Sequence, residues 1–186
     1  MFKLKNIWFC LGISIGVLAG ILTFVSFALP TSTPVWISFG VWPGFVAWAL
    51  YFAKGGGVDA MLKTIYGNIF GILFALLTLW AWLEIGPNYG TSRTASALVL
   101  GIIVIVLAFI LTMGGNFPVT SYVPAAFAGA AACFGFSTMQ GASAGMVVAD
   151  TGKAIQAVIA LIITMALGAV LAYGSDIWGQ AMNKKG

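Results

Sequence analysis

Six stretches of the chain, Ile7–Leu29, Val35–Ala53, Ile65–Leu83, Thr94–Met113, Phe117–Phe136 and Ala154–Tyr173, are apolar and contain no Asp, Glu, Lys or Arg. About 20 apolar residues in a helix cross the hydrocarbon core of a bilayer. Lipid offers the backbone no hydrogen-bond partners, so only helices and closed barrels span it. Runs of this length predict helices. Only 6% of the 186 residues are charged and 61% are hydrophobic, whereas a soluble domain carries roughly 25% charged residues. The chain therefore reads as one all-α integral membrane domain over residues 1–186. Lys3 and Lys5 followed by an apolar run resemble a signal peptide, but the run is too long for a signal h-region and is expected to remain as the first span.

The breaks between the spans are Pro30-Thr-Ser-Thr-Pro34, Lys54-Gly-Gly-Gly57, Glu84-Ile-Gly-Pro-Asn-Tyr-Gly90 and Gly114-Gly-Asn116, all rich in turn residues. Pro43 and Pro124 fall within the second and fifth spans and predict interrupted helices; at Pro43 the helix is either kinked or begins late. After Pro124 almost every residue is small, from Ala125 to Cys133. Small residues let helices approach closely in lipid, and they also leave room for a path. Both readings stay open on the sequence.

Lys and Arg set the orientation. With six spans, Lys3, Lys5, Lys54, Lys63, Lys184 and Lys185 share the side of both termini, and the other side holds Arg93 and Lys153. Basic residues stay cytoplasmic, so both termini are expected inside.

The two halves resemble each other. Leu11–Thr23 lies over Leu100–Thr112 without a gap, with Leu, Gly, Ile, Val, Leu, Ala, Ile, Leu and Thr coinciding. Pro43 lies over Pro124 and Ala47 over Ala128. Further on, Gly67 lies over Gly152 and Ala75-Leu76 over Ala160-Leu161. Three spans per half mean that the halves, about 7–84 and 94–174, insert with opposite orientation. Such an inverted 3+3 repeat places its functional site at the repeat interface, near interrupted helices.

Val41–Ala53 with the glycines after it, and Tyr122–Phe134, resemble the YcdZ-type family of bacterial inner-membrane proteins, a domain of unknown function. The resemblance covers most of the chain through apolar patterns with fixed Pro, Gly and Phe. It implies a small multispan protein of the bacterial inner membrane and supplies no substrate or functional residues. The first loop and the tail are longer than that pattern, which bears on regulation more than on mechanism.

Catalysis has few candidates here. The chain has no histidine, no Lys inside a span to activate a nucleophile, no carboxylate pair and no phosphate loop. An enzyme, a cofactor, a metal site and nucleic-acid binding are not expected. Cys10 and Cys133 lack metal-ligand spacing. Asp150 is read as a solvated acid at the start of the sixth span.

What remains is a channel or facilitator for a small uncharged solute such as urea, a short amide, a small alcohol or a dissolved gas. A small secondary transporter and a non-catalytic scaffold or partner subunit are the alternatives. The expected path residues are Pro43, Phe45, Trp48, Asn68, Ser121, Pro124, Phe127, Ala128, Gly129, Phe134 and Gln140. Thr23 and Thr112 form a pseudo-symmetric polar pair. A thin bundle of six spans also predicts a homo-oligomer with one path per protomer.

Overall fold

A computed structural model describes residues 6–28, 41–89, 92–139 and 151–185. Among these described residues six α-helices follow in order: α1 (Ile7–Ala28), α2 (Val41–Ala53), α3 (Gly57–Tyr89), α4 (Arg93–Met113), α5 (Val123–Met139) and α6 (Thr151–Lys185), with a 3-10 turn at Gly114–Asn116. The Ser92 hydroxyl caps α4 by accepting a hydrogen bond from the Ala95 amide.

Four helices, α1, α3, α4 and α6, are long and apolar enough to cross a membrane, whereas Val41–Ala53 and Val123–Gly135 are shorter apolar helices. Six helices agree with the expected number, and the described lengths of α2 and α5 are shorter than those of the other four. The 13 residues of α2 rise about 20 Å, less than the roughly 30 Å hydrocarbon core. The prolines interrupt neither helix. Pro43 is the third residue of α2 and Pro124 the second of α5. First-turn amides have no partner within a helix, so a proline there removes no hydrogen bond. The expected loop at residues 84–90 and tail after Tyr173 are also corrected, since α3 continues to Tyr89 and α6 to Lys185.

The long helices α3 and α6 pack against each other at the centre. α5 and α4 pack on α3, while α2 and α1 pack on α6. Glycines set the closest approaches. A methyl group on Gly71 would strike the Ala126 carbonyl, one on Gly129 the Asn68 carbonyl, and one on Gly168 the Gly44 carbonyl. Between them lies a core of Ala47, Ile72, Ala75, Ala132, Cys133, Leu161, Met165 and Ala169. In lipid, close packing of this kind replaces the hydrophobic drive of a soluble core.

Contacts also sort the helix ends. Ser14 near the start of α1 donates to the Ser175 carbonyl of α6 at 2.8 Å. Tyr122, just before α5, donates to Leu50 near the end of α2 at 3.1 Å. Asp59, Lys63 and Tyr66 of α3 line one surface depression with Pro118 and Val119. The starts of α1, α3 and α5 and the ends of α2, α4 and α6 thus share one end of the bundle, and the helices alternate in direction.

Candidate functional site

The interior of this bundle is largely apolar, and most of its buried polar side chains are hydrogen-bonded to backbone carbonyls. Asn68 is 1% exposed, and neither its amide nitrogen nor its oxygen has a partner among the described residues. The Thr64 hydroxyl and the Trp48 indole nitrogen are likewise buried and unpartnered. Thr64 and Asn68 stand four residues apart, one turn along the same face of α3. Trp48 comes from α2, where it packs beside Tyr51, Ala60 and Ala172. A buried amide left without hydrogen bonds costs about 1–3 kcal/mol, so a chain this apolar holds Asn68 against its own stability. The other span threonines behave differently: Thr23, Thr78, Thr112 and Thr164 each donate to the carbonyl four residues back. Thr23 and Thr112 therefore spend their hydroxyls within their own helices.

The remaining expected path residues divide between interior and surface. Pro43 is fully buried, Trp48 nearly so, and Gly129 lies against the Asn68 backbone. Ala128 and Phe134 are half-buried, while Phe45, Phe127 and Pro124 are exposed. Ser121 is exposed and donates to the Pro118 carbonyl at 3.0 Å. Gln140 and Asp150 lie outside the described residues. Phe127 and Phe134 line a cavity of about 180 Å³ instead, together with Phe74, Thr78, Val104 and Leu111 of α3 and α4. That cavity is apolar and lies between α3, α4 and α5.

A second polar group, read on the sequence as tail, closes the end shared by Lys54 and Lys63. Tyr51 is fully buried, and its hydroxyl donates to Asp176 Oδ2 at 2.7 Å while accepting from the Gly57 amide at 2.8 Å. Gln180 donates to the other Asp176 oxygen at 2.8 Å. The loop between α2 and α3 reaches this position through Gly55, Gly56 and Gly57, with φ of 103°, 80° and 81°, a region that residues with a Cβ rarely enter. Beside it the Lys54 ammonium sits 5.7 Å from the centre of the Tyr122 ring, and burial pushes the Tyr122 hydroxyl above its usual range, which keeps it a donor. Asp176 was legible in principle, because Ala169, Ala172, Asp176 and Gly179 recur at three- and four-residue spacing, continuing one helical face past Tyr173. Among the described residues no three His, Cys, Asp or Glu side chains come together.

Residues 12–180 match the family described as protein of unknown function DUF1097. The chain belongs to that family. No curated protein and no solved structure matches it. The DUF1097 match spans both short helices and the residues of both polar groups, so neither group lies in an appendage to the family's domain.

Proposed function

We propose that this DUF1097 protein is a channel or facilitator for a small uncharged solute, with its path along the interface between two inverted three-helix halves. The observation that carries this reading is that Asn68, Thr64 and Trp48 hold buried polar atoms with no partner among the described residues. Together they offer donors and acceptors without a charge. A urea, amide or alcohol can exchange hydrogen bonds with such groups in transit. A bare ion would find no compensating charge at this depth.

Burial patterns support the inverted repeat. For α1 and α4, the register of the sequence repeat pairs buried Ser14 with Ile103 and Leu22 with Leu111, and exposed Gly12, Gly16 and Gly20 with exposed Gly101, Ile105 and Phe109. For α2 and α5, burial favours a register one residue from the Pro43/Pro124 match. It pairs Gly44 with Ala126, Phe45 with Phe127 and Phe52 with Phe134. For α3 and α6, buried Gly71, Ile72, Ala75 and Thr78 pair with buried Gly168, Ala169, Ala172 and Ser175, not in the Gly67/Gly152 register. These registers relate the Gly71–Ala126 approach to the Gly168–Gly44 approach. Under this reading the short helices α2 and α5 also cross, giving six spans. The protein then sits in the bacterial inner membrane with both termini cytoplasmic, as a homo-oligomer with one path per protomer.

Flux into proteoliposomes against a panel of small neutral solutes tests the function. Asn68→Leu is expected to reduce flux about tenfold or more, the loss that goes with one unmade polar contact to the solute. Ile105→Trp, on the exposed face of α4, should leave it intact. Wild-type flux through a well-folded Asn68→Leu protein would refute the assignment. A carrier is the second reading, favoured by one observation, the polar network that ties α2 and α6 together at the Lys54 end of the bundle. Dependence of flux on a second solute's gradient separates the two.

A further inference from the structure

We infer that Tyr51, Asp176 and the Gly57 amide form the gate of the end of the path that carries Lys54; this rests on the reading of the path given above. Three features of the group point the same way. It joins separate elements: Tyr51 stands on α2, Asp176 on α6, and Gly57 begins α3. It lies beyond the polar trio, since Tyr51 and Trp48 share one cluster with Ala60, and Ala60 precedes Thr64 by one turn of α3. It adjoins a hinge. Gly55, Gly56 and Gly57 all take positive φ, and such a run changes conformation without side-chain penalty.

Among the described residues, the registers that relate the two halves put Cys133 in the place of Tyr51 and Leu79 in the place of Asp176, both apolar and buried. At the Lys54 end, one charge-assisted hydrogen bond holds α2 against α6, and a second bond from Gly57 fixes the phenol to the hinge. Breaking the pair frees the end of α2 to swing on the glycines and admits water to Thr64 and Asn68. Gln180 donates to the second carboxylate oxygen and holds Asp176 in the orientation that accepts from Tyr51.

The test is accessibility. In full-length protein carrying Cys10→Ala and Cys133→Ala, Thr64→Cys places one thiol behind the gate. A membrane-impermeant methanethiosulfonate is added from the side that carries Lys54. Tyr51→Phe keeps the ring and removes only the hydroxyl. It is expected to speed labelling about tenfold, the population shift that loss of one hydrogen bond to a charged group produces. Asp176→Ala should do the same, and Tyr51→Phe should add nothing to Asp176→Ala, since both remove one interaction. Unchanged labelling in well-folded Tyr51→Phe, or fully additive effects of the two substitutions, would overturn the gate. If Asp176→Ala fails to fold, Tyr51→Phe alone decides. Solute flux through wild-type and Tyr51→Phe protein that keeps Thr64, in vesicles of the same lipid, keeps the two ideas apart. Labelling that responds while no solute passes upholds the gate and sinks the path. Asn68-dependent flux with labelling indifferent to Tyr51 does the reverse.

Discussion

Gly168 of α6 lies so close to the Gly44 carbonyl of α2 that a single methyl group has no space between them. The contact is backbone against backbone, and neither side can yield as a side chain would. Gly168→Ala is therefore expected to destabilise the protein by about 1–3 kcal/mol, the usual cost of overpacking. Gly16 of α1 meets nothing within 4 Å, and Gly16→Ala should change stability by less than about 0.5 kcal/mol. Thermal melting of both variants in mild detergent measures the difference.

Asn68 should oppose stability and activity to each other. Replacing a buried, unpartnered amide by an apolar group of similar shape is neutral or stabilising. Asn68→Leu is expected to melt no lower than wild type, and up to several degrees higher, while losing flux. A variant that lost both together would indicate that Asn68 is a packing residue.

Ser14 donates to the Ser175 carbonyl across the α1–α6 contact. Hydrogen bonds between helices in membranes average about 0.6 kcal/mol. Ser14→Ala should therefore cost about that much and leave flux unchanged, as steric-trap unfolding in bicelles would report. A loss several times larger would give α1 a larger role in holding α6.

Topology is tested by reporter fusions. Six crossings place a fusion at the C-terminus on the cytoplasmic side and one inserted after Tyr89 on the other. Finding both on one side would remove the inverted repeat together with the direction assigned to the gate.

Parts of this fold were plain in the sequence and parts were not, for physical reasons. Long uncharged runs such as Thr94–Met113 mark helices directly, because lipid leaves the backbone no alternative. Helix ends were harder. α3 runs through Gly86 and Pro87 to Tyr89, although those residues ordinarily signal a loop. A proline breaks a helix only past its first turn, and the sequence alone does not show where a helix begins, so it does not tell an interrupted helix from one that begins late. The repeat registers slip for a related reason. On apolar helices the lipid-facing and buried residues are chemically alike, so Gly67 aligns with Gly152 as readily as Gly71 with Gly168. Gly129 shows the same limit. A Trp there would block a path and overpack a helix contact at once, because Gly129 lies against the Asn68 backbone, so that substitution cannot tell the two apart. Thr64 and Asn68 look like any other span polar residues until their lack of partners is seen. Asp176 reads as tail until Tyr51 is seen to reach it.

The helices of this protein do not agree on how thick a membrane is. The candidate spans of α3 and α6 run for 29 and 27 residues, about 43 and 40 Å at a helical rise of 1.5 Å. α2 beside them rises about half as far. The uncharged runs within them, Ile65–Leu83 and Ala154–Tyr173, fit a hydrocarbon core of roughly 30 Å, so the mismatch falls on α2. A thicker bilayer strains the fit at α2 first, and α2 is joined to α6 at the Gly44–Gly168 contact. Hydrophobic mismatch then acts on the Gly44–Gly168 contact and on the Tyr51–Asp176 bond together. With the gate inferred above, the acyl-chain length of the surrounding lipid would be a control on opening that requires no ligand.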